Sequence, residues 1–181
     1  MAAKQFEFGG KTLKASEQFV FIDGAPVTDV SPLAQLRKLT SLVLKDCAQL
    51  TDITPLAKCK KINELVLDGT KVADIAALAA MRELHTLGLV NTPVEDLSPL
   101  ERMDKLTFVY LDGTRVRDLG PLRTAPRLRQ VSLRRTPVTD ISPLQDLVDL
   151  GEIDLVETAV SAEAMEAFRA ATKSTRKISF G

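Results

Sequence analysis

The sequence predicts an α/β solenoid, in which the chain winds through stacked coils with a parallel β-sheet on the concave side and short helical turns on the convex side. Three observations predict it: a regular repeat of leucine, a short apolar segment after each repeated leucine, and a later Ser/Thr-Pro-Leu motif. The repeat begins at Leu39, Ile62, Leu84, Leu106, Leu128 and Leu150. The first step is 23 residues long and the next four are 22 residues long. Such constant spacing is typical of stacked structural units.

The segment that follows each repeated leucine predicts a β-strand. In Leu65-Val66-Leu67 the two outer residues are large and apolar, and residues 131–133 repeat this arrangement around a serine. Because side chains alternate between the two faces of a strand, the outer pair should point into the coil and the middle residue should point out. Stacked coils then place these strands side by side as a parallel sheet.

A short helical turn is predicted on the far side of each coil. A hydroxyl residue, proline and leucine follow one another at residues 31–33, 54–56, 98–100 and 142–144. Serine and threonine favour the N-cap of a helix, and proline is tolerated at its first position. We therefore expect the hydroxyl residues to cap these turns.

Two polar residues that recur from repeat to repeat are interpreted as structural. The aspartates are Asp29, Asp52, Asp74, Asp96, Asp118 and Asp140. The threonines are Thr70, Thr92, Thr114, Thr136 and Thr158. A column of carboxylates also suggests a functional site, but a residue repeated beside every helical turn is explained by capping of backbone N–H groups. The threonines are expected to hydrogen-bond the backbone of the turn between coils.

The chain is predicted to form one domain over residues 1–181. An alternating segment around a Gly-Gly pair predicts a hairpin cap over residues 1–16. About seven repeats fill residues 17–160, and residues 161–181 should close the far end with a helix and a strand. Such caps are needed because the end coils of a solenoid otherwise expose their apolar interior.

Composition narrows the classes of protein to consider. Of the 181 residues, 45% are apolar and 27% are charged, and 24 basic residues balance 24 acidic ones. This balance gives no reason to expect nucleic acid as the partner. No apolar run approaches the roughly 20 residues of a membrane span, and the first residues lack the apolar core of a signal peptide. We therefore expect a cytoplasmic protein with no membrane span.

One repeat shows the pattern clearly and resembles a known family. Residues 128–144 read LRQVSLRRTPVTDISPL. This segment is similar to the 22-residue class of leucine-rich repeats found in phosphatase-regulator and internalin-like proteins, and especially to bacterial members. The resemblance covers most of the chain. It implies a curved leucine-rich-repeat solenoid whose concave sheet binds a protein partner, and it implies no reaction.

The outward-facing strand residues should form two continuous columns on the concave sheet, because parallel strands lie about 4.8 Å apart. The first column is Phe21, Val43, Val66, Gly88, Tyr110, Ser132 and Asp154. The second column is Phe19, Ser41, Glu64, Thr86, Phe108, Gln130 and Glu152. Contiguous exposed apolar surface commonly marks an interface, and aromatic residues are frequent binding hot spots.

The apolar part of these columns is the predicted binding site. Its expected anchors are Phe108 and Tyr110. The residues expected to complete it are Val66, Val43, Gly88, Phe19 and Phe21. The missing side chain at Gly88 should leave a notch for a side chain of the partner. The alternative is that the valines are only good strand formers and that the N-terminal hairpin covers the two phenylalanines.

A cluster of arginines is a second candidate for partner binding. Residues 113–136 contain seven arginines and a single acid, Asp118. Such a run is usually solvated surface whose members point in several directions. Arg134, Arg135 and Arg115 are nevertheless expected to lie close together on neighbouring coils, where they would suit an acidic protein surface.

No catalytic, metal or cofactor site is expected from the sequence. His85 lies at the start of a strand, Cys47 at a turn and Cys59 at an interior position of the repeat. The repeat register keeps these three residues apart, so they should not form a catalytic dyad. No phosphate-binding loop or zinc-ligand spacing occurs.

The sequence therefore predicts a non-enzymatic adaptor that binds a protein partner on the concave sheet. Two alternatives stay open. One is a homodimer formed through the same apolar stripe, and the other is a regulatory subunit for an enzyme on another chain.

Overall fold

The structure, a computed structural model, describes residues 5–172 and 177–180. The strands in these residues are β1 (Gln5–Phe8), β2 (Lys11–Lys14), β3 (Phe19–Asp23), β4 (Ser41–Lys45), β5 (Glu64–Val66), β6 (Thr86–Gly88), β7 (Phe108–Tyr110), β8 (Gln130–Ser132), β9 (Glu152–Asp154) and β10 (Lys177–Ser179). The helix α1 spans Ala162–Thr172. Strands β3 to β10 form one parallel sheet in chain order, and β1 pairs with β2 as an antiparallel hairpin.

Short 3₁₀ turns connect successive strands of the sheet. They are Ser31–Gln35, Thr54–Lys58, Ala76–Ala80, Ser98–Leu100, Gly120–Thr124 and Ser142–Leu144. Proline lies at the first or second position of five of these turns, and alanine replaces it in the turn at Ala76–Ala80. The predicted α/β leucine-rich-repeat solenoid, with a parallel sheet on one side and short helical turns on the other, is confirmed.

The core fills the space between the sheet and the turns. Leu87 of β6, Leu100 of the following turn and Leu106 before β7 are all fully buried. Leu87 lies in register with Leu65 of β5 and Val109 of β7, which are buried as well. Equivalent positions are buried in coil after coil, so the interior is one continuous apolar column along the solenoid.

The recurring aspartates cap the 3₁₀ turns, as predicted. Asp29 Oδ1 accepts the backbone N–H of Ser31 at 2.7 Å, and its Oδ2 accepts the Ser31 hydroxyl at 2.8 Å. The other five aspartates each accept the N–H two residues later, at 2.7–2.8 Å. The prediction that the serine or threonine is the N-cap is wrong. That hydroxyl residue begins the turn, and the N-cap is an apolar residue such as Val30 that has no side-chain capping bond.

At Asp29, Asp52 and Asp96 these hydrogen bonds stabilise the charged form of the carboxyl group. The N–H of Ser31 lowers the pKa of Asp29, and the N–H of Ser98 lowers that of Asp96 in the same way. At Asp52 the hydroxyl and the N–H of Thr54 lower the pKa. A carboxyl group whose pKa is lower in the folded chain than in the unfolded chain stabilises the fold at pH values above its unfolded pKa. That stabilisation is lost as the pH falls through the pKa of the folded chain.

We therefore expect the protein to lose stability below about pH 4. The variant Asp29→Asn/Asp52→Asn/Asp96→Asn should lose less stability on acidification, because three of its six caps no longer carry a titrating charge. Urea unfolding at neutral pH and at about pH 3 measures the difference. A matched control makes the same aspartate-to-asparagine change at Asp104, Asp146 and Asp149. These three residues are exposed and accept no hydrogen bond within residues 5–172 and 177–180. Equal acid sensitivity in the wild type and the capping variant would contradict the expectation.

The recurring threonines form local hydrogen bonds inside their own coils. Each hydroxyl donates to the carbonyl oxygen three residues earlier, at 2.6–2.8 Å. Thr70, for example, is buried and bonds the carbonyl of Leu67. The prediction that these hydroxyls satisfy the turn backbone is confirmed. They do not link one coil to the next, however, because donor and acceptor belong to the same coil.

Different elements cover the two ends of the core. At the first end the hairpin turns through Gly9 and Gly10, whose φ angles are +54° and +78°, and buries Phe8 and Leu13. At the second end the Ser161 hydroxyl accepts the Ala164 N–H at 3.1 Å at the start of α1, which buries its apolar face. Strand β10 then pairs with β9. The parts of the two predicted caps at residues 1–4, 173–176 and 181 lie outside the described residues.

Candidate functional site

The two predicted columns of outward-facing residues are continuous across the sheet. Strand pairing places Phe19, Ser41, Glu64, Thr86, Phe108, Gln130 and Glu152 in register. The same pairing aligns Phe21, Val43, Val66, Gly88, Tyr110, Ser132 and Asp154. Residues 20 or more positions apart in sequence therefore lie on adjacent strands of one surface, which we call the concave face.

The most exposed aromatic residues of the concave face lie at its N-terminal edge. Phe19 is 70% exposed and Phe21 is 55% exposed, although both belong to a strand of the sheet. Val43 and Val66 are half-buried, and they continue the apolar surface onto β4 and β5. Burying these side chains against a partner would remove apolar area from water, which is the main driving force for association.

The N-terminal hairpin does not cover the two phenylalanines, so that part of the alternative is wrong. The hairpin packs on the inward side of β3, where Gly9 lies so close to Ile22 that a Cβ on this glycine would be 2.9 Å from Ile22 Cδ1. Lys11 reaches the outward side. Its ammonium lies 2.7 Å from the Phe21 carbonyl oxygen and 5.7 Å from the centre of the Phe21 ring.

The second aromatic pair, Phe108 and Tyr110 on β7, is half-buried. The sequence pattern places both on the outward side, and the structure agrees, but each side chain is only partly exposed. Their available apolar area is therefore smaller than that of Phe19 and Phe21. The relative exposure of the two pairs depends on the neighbouring side chains, which the repeat pattern does not specify.

The expected open notch at Gly88 is absent from the described surface. Gly88 is buried, and a Cβ at this position would lie 2.8 Å from Asp68 Oδ1 and 3.1 Å from Val66 Cγ1. The Asp68 carboxylate leans over the glycine and accepts the N–H of Val90 at 2.9 Å. A side chain at this position would therefore have to displace the Asp68 carboxylate of the previous coil.

Sequence reasoning missed two aspartates that connect neighbouring coils. Asp68 bonds the backbone of the next coil, and Asp112 does the same by accepting the Arg134 N–H at 2.9 Å and the Ser132 hydroxyl at 2.5 Å. Burial raises the pKa of Asp68, and the nearby carboxylates of Asp46 and Asp112 act in the same direction. The available signal was the Asp-Gly pair that each of the two aspartates begins.

The predicted arginine patch is divided among separate ion pairs. Arg134 lies 3.4 Å from Asp154 on the next strand, and Arg115 lies 3.6 Å from Glu95 on the previous coil. Arg135 is exposed and forms no ion pair within residues 5–172 and 177–180. Two of the three candidate arginines therefore each have an acidic neighbour in the free chain.

The histidine and the cysteines have separate surroundings. His85 is exposed, and its Nδ1 lies 2.7 Å from the Glu83 carbonyl oxygen. Cys47 and Cys59 are free thiols, and burial raises the pKa of both. The Cys59 thiol donates to the Leu33 carbonyl at 3.5 Å. Buried thiols with raised pKa values are poor nucleophiles at neutral pH because the thiolate is the reactive form.

Among the residues that the structure describes, no group of three or more histidines, cysteines and acids is placed to hold a metal ion.

Comparison with known proteins identifies the architecture. No protein-family model and no curated protein sequence matches the chain significantly. Internalin C2 from Listeria monocytogenes is similar in structure, with a TM-score of 0.81 and 23% identity over 95% of this chain and 86% of that one. Internalin F from the same organism gives 0.69 and 23%, over 95% of this chain and 57% of that one.

A leucine-rich-repeat protein from Leptospira interrogans has a TM-score of 0.73 and 16% identity, over 82% of this chain and 38% of that one. The chain thus spans little more than half of the internalin F structure and less than two fifths of the Leptospira structure. At these identities the likeness is one of fold. The chain has the leucine-rich-repeat fold found in bacterial internalins.

Proposed function

We propose that the chain is a non-enzymatic adaptor that binds a protein partner on its concave face. The observation that carries the proposal is the exposure of Phe19 and Phe21 beside the half-buried valines of β4 and β5. Contiguous exposed apolar surface on a soluble protein commonly marks a protein interface. Aromatic side chains also contribute more than their share of binding energy.

The site has two aromatic ends. The pair on β3 and the pair on β7 are separated by four strand spacings, which is roughly 19 Å at about 4.8 Å per spacing. Val43, Val66 and Gly88 lie on the intervening strands. A partner that contacts both pairs must therefore present a surface or an extended segment of about this length. A folded protein surface meets that requirement, whereas a small molecule is too short.

Arg134 and Arg135 form part of the rim of this site. Arg134 faces the concave side through its ion pair with Asp154, and Arg135 follows it with no ion pair among the described residues. Arg115 lies near Glu95 of the coil before it, beside the capping aspartates Asp74 and Asp96. An acidic part of the partner would contact Arg135 first and compete with Asp154 for Arg134, which affects the association rate more than the lifetime of the complex.

The partner is a protein and not a nucleic acid, because 24 basic residues are balanced by 24 acidic residues. We place the chain in the cytoplasm. In the described residues no helix is both long enough and apolar enough to cross a membrane. If the partner is an enzyme, the chain would act as its regulatory subunit through the same surface.

A homodimer is the second candidate, and the position of Phe19 and Phe21 favours it. Strand β3 is the terminal strand of the described sheet, and an edge strand with exposed apolar side chains is prone to pair with another chain. In a twofold dimer the same edge would be used by both copies.

Mass in solution separates the two candidates. We expect light scattering to give the mass of a monomer across a wide range of concentrations, and the immobilised chain to capture a protein from native cytosol. The Phe19→Ser/Phe21→Ser variant should fail to capture that protein. A dimer whose mass does not change on dilution, and which the same variant converts to a monomer, would contradict the adaptor and support the homodimer.

A further inference from the structure

Five basic residues form a surface on the flank of the first two coils that the concave site does not include. They are Arg37, Lys38, Lys58, Lys60 and Lys61. All five are exposed, and they follow or end the 3₁₀ turns at Ser31–Gln35 and Thr54–Lys58. Because both groups occupy the same part of the repeat, stacking of the coils places them side by side. We call this surface the basic flank.

The basic flank surrounds a cleft between the two coils. The cleft has a volume of about 320 Å³, and Arg37, Lys58, Lys60 and Lys61 line it together with Ala34, Leu36, Leu39 and Cys59. The apolar residues that line the cleft are mostly buried in the core, so the cleft cannot collapse without disturbing the coils. The cleft gives four of the five charges a common groove into which an anionic chain can fit.

The charge of the basic flank is not compensated. No acidic residue occurs in residues 30–40 or 54–63. Within the described ranges, 5–172 and 177–180, none of the five side chains forms an ion pair or a hydrogen bond. Other bases on the solenoid do have partners: Lys105 pairs with Glu83, and Lys177 pairs with Glu152. In a chain of zero formal charge, this flank is therefore a local region of strong positive potential.

We propose that the basic flank is a second docking site, which takes an acidic segment of a protein along the cleft. The carboxylates of the segment contact Lys58, Lys60 and Lys61 on one side and Arg37 on the other. All the cations are exposed, so each contact is weak and a ligand needs several negative charges to be held. A glutamate- or aspartate-rich segment supplies such charges at the spacing of a polypeptide chain.

Other polyanions fit the surroundings less well. The positive surface ends at the third coil, where Glu83 follows Arg82, and the fourth coil places Asp104 beside Lys105. Nucleic acid would extend past these acids, since its binding depends on neutralising a long row of phosphates. A membrane surface would be favoured by exposed apolar side chains beside the charges, but the large exposed ones nearest in sequence, Phe19 and Phe21, lie on the concave face.

The test is a fluorescence anisotropy titration with an oligoglutamate peptide at low salt. We expect the wild type to bind the peptide with an affinity that falls as salt is added. The variant Lys58→Gln/Lys60→Gln/Lys61→Gln should bind at least about tenfold more weakly, because it loses three of the five charges. A matched control replaces Lys71, Arg117 and Arg123 with glutamine. These residues are exposed bases without ion pairs in the described residues. It should bind within about twofold of the wild type.

Several outcomes would overturn the proposal. Failure of the wild type to bind the peptide contradicts it, and so does an equal loss of affinity for the peptide in the flank variant and in the control. Tighter binding of an oligothymidine of the same charge, or of vesicles made of equal parts phosphatidylcholine and phosphatidylserine, would assign the flank to another class of ligand. Thermal melts of both variants establish that they are folded. Since the flank variant leaves Phe19 and Phe21 intact, its result is independent of the concave site.

Discussion

Replacing Leu87 with alanine is expected to lower the free energy of unfolding by about 2–5 kcal/mol. Leu87 is fully buried at the centre of β6, between Leu65 and Val109 of the adjacent strands. The substitution removes apolar area from the core and leaves a cavity that the neighbouring coils cannot fill. Because each coil of a solenoid is stabilised only by the coils next to it, a defect in a middle coil affects both halves.

The matched control for this prediction is Thr86→Ala, one residue earlier on the same strand. Thr86 faces the concave side, is half-buried and forms no side-chain hydrogen bond among the described residues. We expect its replacement to cost less than about 1 kcal/mol. Urea titrations of both variants measure the two losses. Equal losses would contradict the assignment of Leu87 to the inward face and Thr86 to the outward face of β6.

The alternation that underlies this prediction could be found from the sequence. The 22-residue spacing places Leu65, Leu87 and Val109 at one position of the repeat, and strand pairing places the same residues side by side. A repeat of fixed length determines which residues are neighbours, because each coil must stack on the previous one in the same register. Fold and register were therefore accessible without coordinates.

Contacts between unlike residues of neighbouring coils were not accessible in this way. Gly88 looked like an open notch, but the Asp68 carboxylate of the preceding coil lies over it. Arg134 pairs with Asp154, 20 residues later in the chain, and the repeat pattern did not indicate this pair. The repeat pattern gives the position of each residue in the coil, but the direction of a long side chain depends on the residues that surround it.

The basic flank illustrates the same difficulty. Arg37-Lys38 and Lys60-Lys61 are ordinary pairs of charges when each is read along the chain. They become one surface only when the first two coils are stacked. The missing acids in residues 30–40 and 54–63 were the available signal, and it required comparison of two repeats at the same position.

The largest expected effect on binding is at Phe19 and Phe21. Replacing both with serine should weaken the affinity for the captured partner by roughly a thousandfold, because hot-spot aromatic residues typically contribute about 2 kcal/mol or more each to binding. The fold should be affected much less. These side chains are 70% and 55% exposed, so we expect the free energy of unfolding to change by less than about 1 kcal/mol.

The second aromatic pair should behave differently. Phe108 and Tyr110 are half-buried, so Phe108→Ser/Tyr110→Thr should lower both the stability and the affinity. This pair therefore cannot separate binding from folding as cleanly as the pair on β3. A suitable control for both is Val148→Ser, because Val148 is 88% exposed and lies outside the strands that form the concave face.

The most direct test of the concave site is a calorimetric titration of the captured partner into the wild type, the Phe19→Ser/Phe21→Ser variant and the Val148→Ser control, with a thermal melt of each. The account predicts three similar melting temperatures, nearly equal affinities for the wild type and the control, and a loss of roughly a thousandfold in the double variant. If the double variant melts normally and binds the partner as tightly as the wild type, the concave face is not the binding site.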